Sequence, residues 1–170
     1  VTGDWSAPPP GLQTLSIVLH HIGDVALIAL YPPFLANALR TRWTALFARA
    51  PARIGLAIVA VSLLVFVFSG WPDAHAYFRR VPVLYLAMCL TFAYAFGVSL
   101  HAWQAATTES ERRRARAFVI GFGIRDVLWS VQYGAMSYLF LTSWSQGPPP
   151  TVPDWYLIYP LGTLLEVPLI

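Results

Sequence analysis

The sequence predicts an all-α integral membrane protein, a bundle of about five transmembrane helices with its N-terminus outside. Of the 170 residues, 57% are hydrophobic and only 11% are charged, and the mean hydropathy is +0.58. A soluble domain carries about a quarter charged residues, so this chain lacks the polar surface that water requires on every side. The apolar residues also fall in runs of roughly 18 or more, the length that crosses a bilayer core.

Five apolar runs define the predicted spans, and polar, basic or proline-rich residues separate them. Residues 1–11 are predicted to be an extracytoplasmic segment, and residues 12–170 to be the transmembrane domain. The first run contains Pro32-Pro33, a pair that lacks backbone donors and kinks or interrupts a helix. Because the chain opens on Val1 and ends inside an apolar run at Ile170, we expect it to be an excerpt of a longer protein. The predicted spans cover residues 12–39, 54–70, 81–103, 117–144 and 155–170.

Arginine placement predicts the orientation, because cytoplasmic loops carry the excess of basic residues. Four arginines lie between the first and second spans and four between the third and fourth, whereas two lie between the second and third and none between the fourth and fifth. The first and third loops are therefore predicted to be cytoplasmic. The arginines of the third loop are predicted to anchor the chain to anionic lipid, each contributing on the order of 1 kcal/mol. They are Arg112, Arg113, Arg114 and Arg116.

Ionisable side chains within the spans form the candidate polar core, because a charge inside a bilayer is costly without a partner. At about 1.5 Å per residue, Asp24, Arg125 and Glu166 are all predicted to lie near the midplane of the bilayer. Arg125 could pair with Glu166, Asp24 or both and simply hold helices together. Alternatively, the charges could line a cavity that binds a ligand or relays a proton. Arg125 and Asp126 are adjacent, so they are predicted to point about 100° apart and not to face one partner.

His20 and Trp129 complete the candidate ligand-binding or polar-core set. His20 precedes Asp24 by four residues, so the two share a helix face, as a metal-ligand pair or a proton relay would. A hydrogen bond between the imidazole and the carboxylate is the favoured interpretation, and no metal and no cofactor are predicted. Trp129 lies one turn beyond Arg125, where it either supports the guanidinium through a cation–π contact or only packs.

Several classes of function lack their residues in this chain. There is no lysine for a Schiff base, Cys89 is the single cysteine, and the net charge of +3 is modest, so retinal binding, a disulfide framework and nucleic-acid binding are not predicted. No nucleophile–base pair or phosphate-binding glycine loop is evident. We therefore predict no catalytic residue within these 170 residues.

Two motifs in the C-terminal third resemble a known family. The basic run Arg112–Arg116 leads directly into Phe118–Gly123, and a later apolar helix carries Tyr159-Pro160-Leu161 and the ending Leu165–Ile170. This pattern is similar to the seven-transmembrane sensor region at the N-terminus of many bacterial and archaeal histidine kinases. The five spans would then be the last five of a seven-helix module.

The resemblance implies a signal-input module of a prokaryotic cytoplasmic membrane. It would relay a ligand or a membrane state to a cytoplasmic signalling domain of the same chain, and it allows a small-molecule ligand and a homodimer. Whether the full-length protein is an enzyme stays open, because no kinase element lies within these residues. Two alternatives are a small-molecule or proton-coupled transporter and a non-catalytic membrane subunit, which would also use intramembrane charges.

Overall fold

The computed structural model describes residues 10–71 and 73–143, and within these ranges every regular element is helical. Three segments, Ile17–Leu39, Ala50–Phe68 and Ala76–Gln104, are long and apolar enough to cross a membrane. The predicted all-helical membrane fold is confirmed to that extent. The predicted span 155–170, with Glu166, lies outside the described residues. The helices are α1 (Pro10–Leu39), α2 (Ala50–Phe68), α3 (Ala74–Gln104), α4 (Glu109–Phe118) and α5 (Ile124–Ser143), and a π-helical turn, Val119–Gly123, joins α4 to α5.

Helix α1 runs through Pro32 and Pro33 without interruption. The sequence predicted a kink or break at this pair, and the break is not seen. The missing backbone donors are tolerated within a helix whose neighbouring side chains pack firmly, since Leu35 is fully buried. The helix ends at Leu39, and Arg40 then adopts a left-handed backbone with φ 48°, a conformation that commonly follows the last helical residue.

Helices α2 and α3 begin earlier than the predicted spans at 54 and 81. Pro51 lies in the first turn of α2, where its fixed φ suits a helix start and its missing donor costs nothing. The residues around Arg79 and Arg80 belong to α3 rather than to a loop. The Arg80 guanidinium donates a hydrogen bond of 2.6 Å to Ser69 Oγ, just after the end of α2, which ties the two helices together there.

The charged run Glu109–Arg116, which the sequence placed in a loop, is helical. Thr108 caps α4: its side chain accepts from the Glu111 backbone N–H at 3.2 Å, and Glu111 Oε2 accepts from the Thr108 backbone N–H at 3.2 Å. This reciprocal capping box satisfies two donors that would otherwise lack partners at a helix start. Residues 109–143 form one helical stretch through the π-turn, so the helix begins eight residues before the predicted membrane span at 117.

Helix α3 is the centre of the described bundle. Helices α1, α2, α4 and α5 and the π-turn all pack against it, whereas the α1 and α5 backbones do not pack against each other. The buried core lies along α3 and includes Leu84, Met88 and Phe92. By contrast, most apolar side chains of α2 are exposed, as expected for a helix whose surface faces lipid. The separation of α1 from α5 leaves a groove with α3 behind it.

Candidate functional site

The groove between α1 and α5 collects most of the sequence-predicted site residues. It has a volume of about 400 Å³ and brings His20 and Asp24 of α1 together with Arg125 and Trp129 of α5. Apolar side chains and glycine complete its wall. The structure thus places four of the six predicted core residues along one groove, and Asp126 lies directly beside it. Its full lining is Leu19, His20, Gly23, Asp24, Leu27, Phe92, Arg125, Trp129 and Tyr133.

The first polar cluster of the groove, which we call the His–Asp cluster, is centred on Asp24. This carboxylate is only 3% exposed. Its Oδ1 accepts a hydrogen bond of 2.8 Å from Tyr133 Oη, and its Oδ2 lies 3.2 Å from His21 Nδ1. The other nitrogen of His21, Nε2, lies 2.6 Å from Tyr77 Oη. The cluster therefore draws side chains from α1, α3 and α5.

His20 takes a different part in this cluster from the one that the sequence favoured. Its Nε2 lies 3.6 Å from Asp24 Oδ2, which is too long for a hydrogen bond. The imidazole–carboxylate contact is made by His21, whose ring is almost completely buried. The His20 side chain is 41% exposed and forms part of the wall of the groove. The pairing expected between His20 and Asp24 is thus corrected to one between His21 and Asp24.

The second polar cluster, the Arg–Asp cluster, joins Tyr31 of α1 to Arg125 and Asp126 of α5. Tyr31 Oη donates a hydrogen bond of 2.7 Å to Asp126 Oδ2 and accepts one of 2.9 Å from Arg125 Nη2. Arg125 Nη2 also lies 2.9 Å from Asp126 Oδ1. Asp126 is fully buried, and a buried charge needs a partner. The adjacent guanidinium compensates the negative charge of Asp126 within the cluster.

One prediction about Arg125 is corrected by this arrangement, and one of its predicted pairings is not made. Arg125 and Asp126 were predicted not to face one partner, yet both bond to the Tyr31 hydroxyl. The 100° between their Cα–Cβ directions does not prevent this, because the long arginine side chain reaches both the Asp126 carboxylate and the Tyr31 hydroxyl. Its carboxylate partner in the described part of the chain is Asp126 rather than Asp24.

The aromatic surroundings of Arg125 also differ from the expected ones. The guanidinium carbon lies 4.8 Å from the centre of the Phe122 ring and 5.5 Å from that of Tyr31, distances that suit cation–π contacts. Trp129 instead stacks on Phe92 and Tyr133, with ring centres 6.1 and 5.4 Å apart. Trp129 therefore takes the packing role, and it lines the groove beside the guanidinium.

The π-turn Val119–Gly123, two residues before Arg125, helps to orient the Arg–Asp cluster toward α1. A π-turn holds one more residue than an α-turn, so the side chains that follow it are rotated by about 100° relative to a regular helix. Gly123 in this turn is buried, and a Cβ at this position would lie 3.3 Å from the Phe96 ring. The glycine thus allows the turn to lie close to α3.

Sequence reasoning missed four residues that complete the clusters: His21, Tyr31, Tyr77 and Tyr133. His21 was not selected, although it is one turn from Asp24. Tyr77 precedes the predicted start of the third span at 81, so it was not considered as an intramembrane group. Tyr31 carries no charge, and only its distant partner Asp126 identifies it. The predicted partner Glu166 lies outside the described residues.

The predicted membrane anchor lies apart from the groove. Arg112, Arg113, Arg114 and Arg116 are exposed on α4, and Arg113 donates a 2.9 Å hydrogen bond to Glu109 Oε1. Their exposure is compatible with contact to lipid headgroups.

Comparison of the chain with protein-family models, curated proteins and solved structures gave no match.

Proposed function

We propose that this chain is a membrane-embedded signal-input module of a histidine-kinase-type receptor in a prokaryotic cytoplasmic membrane. In this proposal it has about five transmembrane helices with the N-terminus outside, and it passes a ligand-dependent or membrane-dependent change to a cytoplasmic domain of the same chain. The motifs of the C-terminal third and the arginine distribution support this assignment. The bilayer and a small molecule in the groove are its proposed partners, and a homodimer is compatible with it.

The observation that carries the proposal is the way in which α1 and α5 are joined. Their backbones do not pack together, and hydrogen bonds from Tyr133 to Asp24 and from Tyr31 to Asp126 bridge the groove. Hydrogen bonds between membrane helices contribute about 0.6 kcal/mol on average and about 1.7 kcal/mol at most. A ligand that favours one helix arrangement by a few kcal/mol is enough to overcome such contacts.

The connection from the groove to the predicted cytoplasmic side also supports a signalling role. Asp126 and the arginines of α4 belong to the same helical stretch, residues 109–143. A displacement of Asp126 across the groove would therefore move the charged end of this stretch. In α1, Pro32 and Pro33 directly follow Tyr31, and the missing hydrogen bonds there make this a candidate hinge.

The first test is the DNA sequence on both sides of these codons. Two apolar spans upstream, with a phospho-acceptor helix and an ATP-binding domain downstream, would support the proposal. A stop codon directly after Ile170 would overturn it.

The functional test uses the full-length gene product in lipid nanodiscs and measures its autophosphorylation with radiolabelled ATP. Tyr31→Phe and Tyr133→Phe each remove one bridge and should change the phosphorylation rate per molecule of folded protein several-fold. Tyr138→Phe is the matched control, since Tyr138 lies on the same helix and is 67% exposed. Equal losses of abundance and output would instead favour a purely structural role for the bridges.

A small-molecule transporter is the second candidate, and the charge of Arg125 in the groove favours it. This guanidinium is 31% exposed and lies beside aromatic rings, an environment that suits an organic anion. Proteoliposomes that contain the protein should then accumulate a labelled organic anion, and Arg125→Gln should abolish the uptake. The absence of uptake across a broad panel of anions would count against transport and leave the sensor or a non-catalytic subunit.

A further inference from the structure

We propose that His20, His21 and Asp24 form a binding site for a divalent transition-metal ion, and that Zn²⁺ is the ion the site fits. This inference goes beyond the proposed function and does not depend on it, because metal binding can be measured without any signalling output. It also departs from the sequence-based expectation of no metal, which considered only His20 and Asp24.

The donor atoms already have nearly the spacing of ligands on one small ion. Zn²⁺ binds imidazole nitrogen and carboxylate oxygen at about 2.0–2.2 Å, so two ligands of a tetrahedral site lie about 3.4 Å apart. Asp24 Oδ2 lies 3.2 Å from His21 Nδ1 and 3.6 Å from His20 Nε2. All three donor atoms lie within 4.8 Å of one another. Only the distance between the two histidines has to shorten, and the exposed ring of His20 is free to make that adjustment.

Tyrosines on two other helices support the two buried donors from behind. When His21 Nδ1 bonds to a metal, the proton of the neutral ring is on Nε2, which can donate to Tyr77 Oη at 2.6 Å. The oxygen of Asp24 that faces away from the site, Oδ1, accepts from Tyr133 Oη. Metal-bound histidines and carboxylates nearly always have such outer partners, which fix the ring tautomer and the carboxylate orientation.

The site retains an open position on its cavity side. His20, His21 and Tyr133 line a cavity of about 240 Å³, and Gln132 and Trp129 form another part of its wall. Two histidines and one carboxylate with an open fourth position are a donor set that zinc sites with an exchangeable water or substrate use. The fourth ligand would be a water molecule or a polar group of a solute that enters this cavity.

The alternative is a purely structural hydrogen-bond network. In that network the Nδ1 proton of His21 lies toward Asp24, and Tyr77 donates to Nε2. Such a network accounts for the burial of His21, but it gives His20 only a long charge contact with Asp24, 3.6 Å from Nε2 to Oδ2 and beyond hydrogen-bond distance. The position of His20 beside the carboxylate is therefore the feature that favours metal binding over the network.

The test measures Zn²⁺ binding to the purified, tag-free protein in nanodiscs by isothermal calorimetry, with Co²⁺ absorption as a probe of coordination. We expect one ion per chain, with nitrogen and oxygen ligands. His20→Ala should weaken the affinity by more than about 100-fold, because it removes a direct ligand, whereas Tyr77→Phe should weaken it by about 10–100-fold, as an outer partner does. His101→Ala is the matched control and should bind normally, since its ring packs against Trp43, remote from Asp24.

A stability measurement separates loss of binding from loss of folding. Without metal, His20→Ala and the wild-type protein should unfold at the same temperature, because His20 makes no hydrogen bond in the cluster. Added Zn²⁺ should raise the midpoint of the wild-type protein and of His101→Ala but not that of His20→Ala. The proposal is overturned if the wild-type protein binds no Zn²⁺ at micromolar free ion, or if His20→Ala binds as tightly as His101→Ala.

Discussion

Asp24 of α1 and Asp126 of α5 occupy reciprocal positions across the groove. Each carboxylate accepts a hydrogen bond from the tyrosine that lies seven residues after the other, Tyr133 for Asp24 at 2.8 Å and Tyr31 for Asp126 at 2.7 Å. Seven residues correspond to two helical turns, or about 10 Å along the axis. The two antiparallel helices are therefore joined at two levels rather than at the single midplane layer that charge depth alone predicts.

Removal of either tyrosine hydroxyl should destabilise the protein to a modest extent. Tyr133→Phe and Tyr31→Phe each leave a buried carboxylate with one donor fewer, and the expected loss is about 1–2 kcal/mol. Tyr138→Phe, at an exposed position of α5, should change stability by less than about 0.5 kcal/mol. Denaturant titration in mixed micelles, followed by tryptophan fluorescence, gives these values. Identical stabilities for all three variants would show that the bridges contribute nothing to folding.

Neutralisation of Arg125 alone should be much more harmful than neutralisation of the pair. Arg125→Gln leaves the fully buried Asp126 without its cation, at an expected cost of about 3 kcal/mol. The double variant Arg125→Gln/Asp126→Asn removes both charges and retains hydrogen-bonding groups, so it should recover most of that loss. Unfolding of the single and double variants provides the comparison. If the double variant were less stable than Arg125→Gln, charge compensation would not be the role of this pair.

Substitution of Gly70 should disturb the junction of α2 and α3. A Cβ at Gly70 would lie 2.7 Å from the backbone of Ala76 and Tyr77, so the backbone itself would have to move. We expect Gly70→Ala to destabilise the protein by about 1–3 kcal/mol and to displace Tyr77 from His21. Gly55→Ala, in α2 with nothing within 4 Å of the added Cβ, is the control and should stabilise the helix by up to about 1 kcal/mol. Equal thermal stability of the two variants would contradict the close approach.

The start of α4 should lose stability in acid. Hydrogen bonds from the Thr108 backbone N–H and the Thr107 hydroxyl, among others, lower the pKa of Glu111 below its ordinary value. A lowered pKa means that the folded state favours the carboxylate, so this stabilisation is present above the ordinary pKa and is lost as the pH falls through the lowered one. Hydrogen exchange at the Thr107 and Thr108 amides should accordingly exceed its intrinsic pH trend in acid.

Glu111→Gln is the matched control for this pH effect. Glutamine also completes a capping box but does not titrate, so its exchange should follow only the intrinsic trend. An excess of the same size in both proteins would show that the Glu111 carboxylate is not responsible.

Long apolar runs made the helices of the bundle predictable, whereas the charged ends of helices were misassigned. The predicted span at 81–103 lies within α3 and most of the span at 54–70 lies within α2, which ends at Phe68, because burial and lipid contact both select apolar residues along a whole helix. The run Glu109–Arg116 was assigned to a loop on charge alone. The Thr108-x-x-Glu111 spacing in the same sequence is a helix-start signal, and its use would have placed the start correctly.

The candidate site was predictable in its charges but not in its pairings. A charged residue is unusual inside an apolar run, so Asp24, Arg125 and Asp126 were found from the sequence. Their partners lie far away along the chain: Asp24 and Tyr133 are 109 residues apart, and Tyr31 and Asp126 are 95 apart. Neutral hydroxyl groups in apolar helices are common, so only the packing of α1 and α5 around α3 distinguishes Tyr31 and Tyr133 from other tyrosines.

Residues 109–143 form one helical stretch that contains the π-turn Val119–Gly123 but no loop. At about 1.5 Å per residue it is roughly 50 Å long, which exceeds the thickness of a bilayer core by about 20 Å. A rotation of this helical stretch at Asp126 would turn its whole length, because no loop interrupts it. In the proposed orientation, a rotation by one residue step, about 100°, would move the exposed arginines of α4 to a different part of the membrane surface.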